Sequence, residues 1–178
     1  IWRSLVGSEM CIRDSFNSSL STYISSSTIS KVNRNEKVIV DDLFIDIFRK
    51  SKIIYEKTNG YFDPSIGLLL DYAGFGPTKN QNIVSEDSLA IILKTVGFDK
   101  IDIIGRQVRK LNNKSKLDFN AIAKGYAVDV ISEFLNSKSV EDYMVDIGGE
   151  IRTSGKNHLR DMFWSIAIEN PIPNKNYD

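Results

Sequence analysis

The sequence has very few of the residues that build disulfide frameworks and transition-metal centres. Of its 178 residues, one is a cysteine, Cys11, and one is a histidine, His158. A single cysteine excludes an internal disulfide framework and a cysteine-rich metal site. A single histidine excludes a metal centre built from several histidines of this chain. Any metal ion bound here would therefore take oxygen ligands, which favours Mg²⁺ or Ca²⁺.

Net charge and long hydrophobic runs are also missing. The 23 basic residues are balanced by 23 acidic ones, so the chain lacks the positive charge of a general nucleic-acid or membrane-surface binder. No apolar run approaches the length that spans a bilayer. What is present is 42% hydrophobic and 26% charged residues, a composition typical of a globular chain with a core of its own.

The first residues differ in character from the rest. Residues 1–15, IWRSLVGSEMCIRDS, lack the lysine, asparagine and isoleucine bias of the body. Within them, SLVGSEMCIRDS (residues 4–15) resembles an adapter-derived peptide of translated metagenomic reads, and we interpret residues 1–15 as a non-native segment. The native domain is then residues 16–178. Its serine-rich start, residues 16–35, predicts a loop that carries Tyr23, with one helical turn around Ile29 and Val32.

Helix signals follow along the first hundred residues. The first predicted helix begins at Asp41 or Asp42 and ends at Asn59-Gly60. A second begins at Pro64. A third begins at Ser85 or Asp87 and ends at Gly97. Strand signals are weaker and come in short runs. They predict a hairpin over residues 98–111, a strand over 143–147 that continues extended over 150–153 after Gly148-Gly149, and a last strand over 163–169. Because helices and hairpins alternate irregularly, the predicted fold class is α+β.

One stretch, residues 117–129 (LDFNAIAKGYAVD), combines several unusual features. A short extended run ends at Asp118 and Phe119, and Asn120 is a suitable N-cap for the helix that follows. Lys124 then falls near the helix start, where the macrodipole disfavours a cation unless an anion is bound. Two interpretations stay open: a phosphate site with Asp118 beside it, or a surface ion pair between Asp118 and Lys124.

Four stretches, taken together and in order, resemble the ApbE family of FAD:protein FMN transferases. They are STYISSSTISKVN (residues 21–33), NGYFDPSIGLLLDYAGFG (59–76), LDFNAIAKGYAVD (117–129) and YMVDIGGEIRTSGKN (143–157). Leu69 stands where the family often has proline, and Tyr72 lies near its usual tryptophan. The resemblance implies an ApbE-like, T-fold-like α+β domain.

The resemblance also implies roles for particular residues. The residues that it assigns to FAD binding are Tyr23, Tyr61, Phe62, Asp63, Asp118 and Lys124. It makes the main-chain oxygen of Ala121 a ligand of Mg²⁺. Aromatic side chains offer flat surfaces to flavin or adenine rings, and Lys124 with the helix start suits a pyrophosphate. From the residues alone, Tyr61 and Phe62 can equally be core.

The implied reaction is Mg²⁺-dependent transfer of FMN from FAD to a threonine of an acceptor flavoprotein, with release of AMP. The implied acceptor is a subunit of a sodium-pumping quinone reductase or a related redox complex, and no nucleic acid is involved. The implied location is the periplasmic side of the inner membrane, as a membrane-associated lipoprotein, with a cytoplasmic location as the alternative. Two other functions stay open: an FAD pyrophosphatase that yields FMN and AMP, and a flavin-binding module without catalysis.

The family's later region, which completes the metal site, has no counterpart in this sequence. We therefore expect the domain to be incomplete at its C-terminus and residues 1–178 on their own to be inactive. The catalytic residues remain unknown at this stage.

Overall fold

A computed structural model describes residues 2–77 and 86–168. The elements in chain order are α1 (Trp2–Leu20), α2 (Thr28–Asn33), α3 (Asp42–Lys57), α4 (Gly67–Tyr72), α5 (Glu86–Leu93), a 3-10 helix (Phe98–Lys100), β1 (Ile101–Ile104), β2 (Gln107–Lys110), α6 (Asn120–Ser137), β3 (Tyr143–Ile147), β4 (Glu150–Ser154), β5 (Lys156–Asn157) and β6 (Met162–Phe163). This mixture confirms the α+β class. The chain divides into two compact units, Ile1–Ala127 and Val128–Asp178, which are described separately.

The core of the first unit forms around α3. Asp41 caps this helix as predicted, because its carboxylate accepts the amide hydrogen of Phe44 at 2.8 Å. Phe44 is fully buried and meets the Phe119 ring edge-on, with 5.6 Å between centroids. Asn59 and Gly60 follow the helix with φ of +50° and +82°, which confirms its predicted end.

Residues 16–20, predicted to be loop, belong to α1 instead. Phe16 and Leu20 lie four residues apart and are both buried, so one helical face packs into the core. The single turn predicted around Ile29 and Val32 is confirmed as α2. The connection between these two helices carries Tyr23. The interpretation of residues 1–15 as non-native stays a prediction.

The predicted start of a helix at Pro64 is wrong, because α4 begins at Gly67. The residues before it are engaged elsewhere: the Pro64 carbonyl accepts the Asp118 amide hydrogen at 2.8 Å, and Ile66 forms an isolated parallel bridge with Lys116. A contact with a segment fifty residues away thus overrides the local helix signal.

The predicted hairpin over residues 98–111 is confirmed in its two strands. β1 and β2 pair antiparallel, with Ile104 opposite Gln107 across the turn. The helix before it, α5, is described from Glu86, so the predicted cap at Ser85 lies outside the described residues. Gly97 follows with φ of +134°, which agrees with its predicted place after the helix.

The second unit contains the last part of α6 and two small hairpins. β3 and β4 pair antiparallel, with Ile147 opposite Glu150, so the chain reverses at Gly148-Gly149 where a continuation was predicted. Both glycines have positive φ, +61° and +94°, as a tight two-residue turn requires. The predicted last strand over 163–169 is wrong for residues 164–168, since β6 ends at Phe163; Glu169 lies outside the described residues.

No described helix is both long enough and apolar enough to cross a membrane.

Candidate functional site

The site is built on four residues that precede α6, residues 115–118, which we call the wall segment. One side of it is held by the side chain of Asn33, at the end of α2. The Asn33 amide nitrogen donates to the Leu117 carbonyl at 2.8 Å, and its oxygen accepts the Leu117 amide hydrogen at 2.7 Å. The asparagine therefore pairs with the segment as a neighbouring strand would.

The other side of the wall segment meets the residues around the start of α4. Gly67 donates its amide hydrogen to the Lys116 carbonyl at 3.0 Å, and Asp118 donates to Pro64 at 2.8 Å. A side chain at position 67 would not fit, since a Cβ there would lie 2.8 Å from the Lys116 oxygen. Both edges of the wall segment are therefore fixed, and the position of Asp118 is fixed with them.

Asp118 is the most buried carboxylate among the predicted site residues, with 9% of its surface exposed. Burial raises the pKa of its carboxyl group above the ordinary value, and the nearby charge of Asp71 raises it further. Hydrogen bonds from the Asn120 amide (2.7 Å to Oδ1) and side chain (3.0 Å to Oδ2) act in the opposite direction. Asn120 therefore donates to Asp118 as the first residue of α6, and its prediction as the N-cap acceptor is wrong.

An ion pair lies next to Asp118. The Lys116 ammonium is 2.5 Å from Oδ2 of Asp71, whose side chain is 11% exposed. Asp71 takes this place because position 76 is glycine: a Cβ on Gly76 would lie 2.0 Å from Oδ1 of Asp71. Together with Asp118, the pair places one ammonium group and two carboxylates within the same small region.

These residues line a cavity of about 150 Å³. Its walls come from α2, α4 and the wall segment, with Thr22, Arg34 and Pro77 completing the lining. The polar side chains around it include Ser30, Asn33, Asp71, Lys116 and Asp118. Both hydrogen-bond donors and acceptors are thus available to a polar ligand.

Asp63 is joined to this region through the next residue, because Pro64 accepts the amide hydrogen of Asp118. Its Oδ1 accepts two hydrogen bonds from Ser65, at 2.7 Å from the amide and 2.6 Å from the hydroxyl. Ser65 is fully buried, and its hydroxyl accepts the Gly97 amide hydrogen at 2.7 Å. Asp63 therefore shapes the turn on which the cavity is built.

Three aromatic rings of the first unit are exposed: Tyr61 (97%), Phe75 (76%) and Tyr23 (65%). The alternative that placed Tyr61 in the core is therefore wrong, while Phe62 is half-buried. The Tyr23 hydroxyl donates to the Phe75 carbonyl at 3.4 Å, and the neighbour of Tyr23, Thr22, lines the cavity. Tyr23 and Phe75 thus offer exposed ring surface next to it.

Ala121 and Lys124 are both exposed on the first two turns of α6. A Cβ built at Gly125 would meet no described atom within 4 Å, so this glycine is not explained by tight packing. On the same helix, Val128 and Ile131 are buried as predicted.

Of the residues predicted for the site, some lie at or beside the cavity and others do not. Asp118 lines the cavity, and Asp63 and Tyr23 adjoin it through Pro64 and Thr22. Neither Tyr61 nor Phe62 is among the residues that line the cavity. The prediction missed Asn33, Asp71 and Lys116. Asn33 and Asp71 had a usable signal, because they lie in two of the four stretches that resemble the family, residues 21–33 and 59–76. The pairing of Lys116 with Asp71 had none, because it spans 45 residues.

The chain is similar in sequence to known proteins over most of its length. Residues 8–177 match the ApbE family. A curated relative from Vibrio cholerae serotype O1, named FAD:protein FMN transferase, is 34% identical over 160 residues, which cover 87% of this chain and 47% of that protein. One of the same name from Haemophilus influenzae is 33% identical over 164 residues, again 87% of this chain and 47% of that protein. The chain spans about half the length of the curated relatives it matches.

Solved structures give the same result. The flavin transferase ApbE from Vibrio cholerae superposes with a TM-score of 0.88 at 30% identity, over 95% of this chain and 56% of that one. The apo form of the Pseudomonas stutzeri flavinyl transferase ApbE also reaches 0.88, at 28% identity, over 94% of this chain and 57% of that one. The fold, the ordered sequence matches and the family match over residues 8–177 agree, and this chain belongs to the ApbE family.

Proposed function

We propose that the protein containing this chain transfers FMN from FAD to a threonine hydroxyl of an acceptor flavoprotein and releases AMP. The observation that carries the proposal is Asp118, a buried carboxylate that lines a polar cavity at the start of α6 and is fixed there from both sides. The family membership of the chain supports the same activity.

The reaction is a phosphoryl transfer. The threonine oxygen forms a bond to the phosphorus of the FMN half, while the pyrophosphate bond to AMP breaks and the hydroxyl proton is lost. Catalysis of this kind depends on positioning the phosphates and on offsetting their charge. A rigid site with fixed donors and acceptors suits that demand.

The residues of this chain would act mainly in binding FAD. Asp118 would accept a hydrogen bond from a donor on the flavin, ribose or adenine. Tyr23 and Tyr61, both largely exposed, would offer their faces to the rings, with Phe62 and Asp63 shaping the turn beside them. Lys124 lies on the second turn of α6, where a cation complements a pyrophosphate.

Mg²⁺ is part of the proposal as a charge partner of the phosphates. The described residues contain no cluster of three acids, histidines or cysteines that could hold a metal ion. They contribute one ligand by resemblance, the neutral carbonyl of Ala121, and Mg²⁺ needs about six oxygens in octahedral geometry. The described residues alone therefore do not supply a complete Mg²⁺ site.

The acceptor that we propose is a flavoprotein subunit of a redox complex, such as a sodium-pumping quinone reductase. The location that we propose is the periplasmic side of the bacterial inner membrane. Both the acceptor and the location are proposed from family membership alone.

The test incubates the purified protein with FAD, Mg²⁺ and a candidate acceptor, and analyses the acceptor by mass spectrometry. We expect a mass increase equal to FMN on a threonine peptide, loss of that product with EDTA, and its return with added Mg²⁺. Free FMN without labelled acceptor would indicate a pyrophosphatase instead. Unchanged FAD that still binds would indicate a flavin-binding module.

Lys124→Ala tests the proposed pyrophosphate contact, with the exposed Lys94→Ala as its matched control. Loss of a charge-assisted hydrogen bond should weaken FAD binding by about 1.5–3 kcal/mol, measured by titration. Lys94→Ala should bind FAD like the wild type. Equal affinities for all three proteins would contradict the role given to Lys124.

A further inference from the structure

A second cavity, of about 440 Å³, lies between residues 35–38 and strand β2. It is larger than the cavity beside Asp118, and the two share no lining residue. Its charged lining consists of Lys37, Arg109, Lys110 and Glu36. Glu36 is already paired with Arg34 at 2.7 Å, so the remaining charge on the walls is positive. Such a lining attracts a small phosphorylated molecule.

Lys110 differs from the other cations of this cavity because its amine is half-buried and has fixed partners. The amine donates one hydrogen bond to the Val32 carbonyl and one to the Ser115 carbonyl, each at 3.0 Å. A neutral amine has two N–H donors and one lone pair. These two acceptors therefore satisfy the neutral form fully and leave its lone pair for reaction.

The surroundings of Lys110 make this neutral form easier to reach. Burial, with a smaller contribution from the positive charge of Lys116, lowers the pKa of Lys110 to about 8. Lys37 and Arg109 add positive charge on the cavity side, and Glu36 adds a paired negative one. At pH 7 about a tenth of the amine is therefore deprotonated.

We propose that Lys110 is an acylation site for small acyl phosphates that enter the second cavity. The Nζ lone pair would attack the acyl carbon and form an N–C bond. The bond between that carbon and the phosphate oxygen would break, and inorganic phosphate would leave with the electron pair. The amine would lose a proton to solvent, so the product is a neutral Nε-acyl lysine.

Acylation of Lys110 would affect the flavin site because the amine is hydrogen-bonded to the carbonyl groups of Val32 and Ser115. Val32 precedes Asn33 in α2, and Ser115 begins the wall segment, so the Lys110 amine joins the two elements that hold Asp118 in place. An acyl lysine keeps one N–H and can retain only one of the two hydrogen bonds. Acylation would therefore loosen the wall segment and weaken FAD binding; this second part rests on the proposed function.

The first experiment treats the purified protein with acetyl phosphate at pH 7.0 and follows acetylation of individual lysines by peptide mass spectrometry. We expect Lys110 to react about tenfold faster than the exposed Lys114, because the lowered pKa of Lys110 leaves part of its amine neutral at this pH. Excess inorganic phosphate should lower the acetylation rate of Lys110 and leave that of Lys114 unchanged. A Lys110 rate equal to or below that of Lys114 would overturn the proposal.

The second experiment measures FAD affinity for acetylated wild type, mock-treated wild type, Lys110→Gln and Lys110→Arg. We expect affinity to fall about tenfold on acetylation, to stay unchanged after acetyl phosphate treatment of Lys110→Arg, and to be low in Lys110→Gln. Fast acetylation with unchanged FAD affinity would overturn the coupling to the flavin site. Failure of the mock-treated protein to bind FAD would instead reject the proposed function, and the labelling rates would stand on their own.

Discussion

Two turns of the same type meet at the site and behave differently. In Asp63-Pro64-Ser65 and in Asp118-Phe119-Asn120, the aspartate Oδ1 accepts the amide hydrogen of the residue two positions on, at 2.7 Å in both. Each aspartate also accepts a bond from the side chain of that residue, Ser65 or Asn120. The turns are joined directly, since Asp118 donates its amide hydrogen to Pro64.

The difference lies in the residue that ends each turn. Ser65 is fully buried, and its hydroxyl continues into the interior by accepting the Gly97 amide hydrogen. Asn120 is exposed and opens α6, while Asp118 itself lines the cavity. The same local motif therefore stabilises the fold at Asp63 and places a carboxylate in the wall of a cavity at Asp118. What the turn is packed against decides which of the two it does.

The largest effect is expected from releasing the second turn from its support. Asn33→Ala removes both hydrogen bonds to Leu117, whose backbone is buried, and each unsatisfied polar group costs free energy. We expect the free energy of unfolding to fall by about 2–3 kcal/mol, measured by urea denaturation. The control Asn113→Ala, at an exposed asparagine, should change it by less than about 0.5 kcal/mol. Equal values for the two variants would contradict the supporting role of Asn33.

The next effect separates the ends of the two turns. Ser65→Ala leaves the Gly97 amide hydrogen without its acceptor, which should cost about 2 kcal/mol of unfolding free energy with little change in FAD affinity. Asn120→Ala, at the equivalent position, should cost less than about 0.5 kcal/mol because the site is exposed. Thermal and urea unfolding of both variants would check this; a larger loss in Asn120→Ala would reverse the comparison.

The aspartates themselves are compared by the matched pair Asp118→Asn and Asp63→Asn. We expect Asp118→Asn to weaken FAD binding about tenfold, since a charged acceptor becomes a neutral one. Asp63→Asn should change it less, because Oδ1 already accepts two bonds from Ser65. FAD titrations of both variants measure the difference, and a larger loss in Asp63→Asn would assign the ligand contact to the first turn.

Asp118→Asn also tests a pH dependence of stability. The folded-state pKa of Asp118 is raised above its ordinary value of 3.8, so its contribution to stability is present below that value and is lost as the pH rises through the folded-state pKa. The unfolding free energy of wild type should therefore decline relative to Asp118→Asn as the pH rises from 3.8 through the folded-state pKa. A constant difference across that range would show that the carboxyl group is not perturbed by burial.

The smallest effect is expected at the aromatic edge of the site. The bond from Tyr23 to the Phe75 carbonyl is long, 3.4 Å, and exposed, so Tyr23→Phe should change unfolding free energy by less than about 0.5 kcal/mol. FAD affinity should also be kept in Tyr23→Phe and lost in Tyr23→Ala, because the ring face is what we expect to bind. A loss of FAD binding in Tyr23→Phe would place the ligand contact on the hydroxyl.

The sequence predicts those parts of this fold that depend on near neighbours. The Asp41 cap, the end of α3 at Asn59-Gly60 and the β1–β2 hairpin are local patterns, and the structure confirms them. The start of α4 was wrong because Pro64 and Ile66 are engaged by residues 116–118. The hydrogen bonds from the Asn33 side chain to Leu117 join residues 84 positions apart, so no local periodicity could predict them. The sequence singles out Asp118 as a candidate, but it does not show the burial that raises the pKa of this carboxyl group.

The pairing of Asn33 with Leu117 also makes the site observable without a ligand. The Leu117 amide hydrogen is held by a single side chain and not by a strand ladder, so it should exchange with deuterium whenever that side chain turns away. Its exchange rate then reports how often the wall segment opens. A protected Leu117 amide marks molecules whose wall segment is closed and ready to bind FAD. FAD should increase this protection, and acetylation of Lys110 should decrease it.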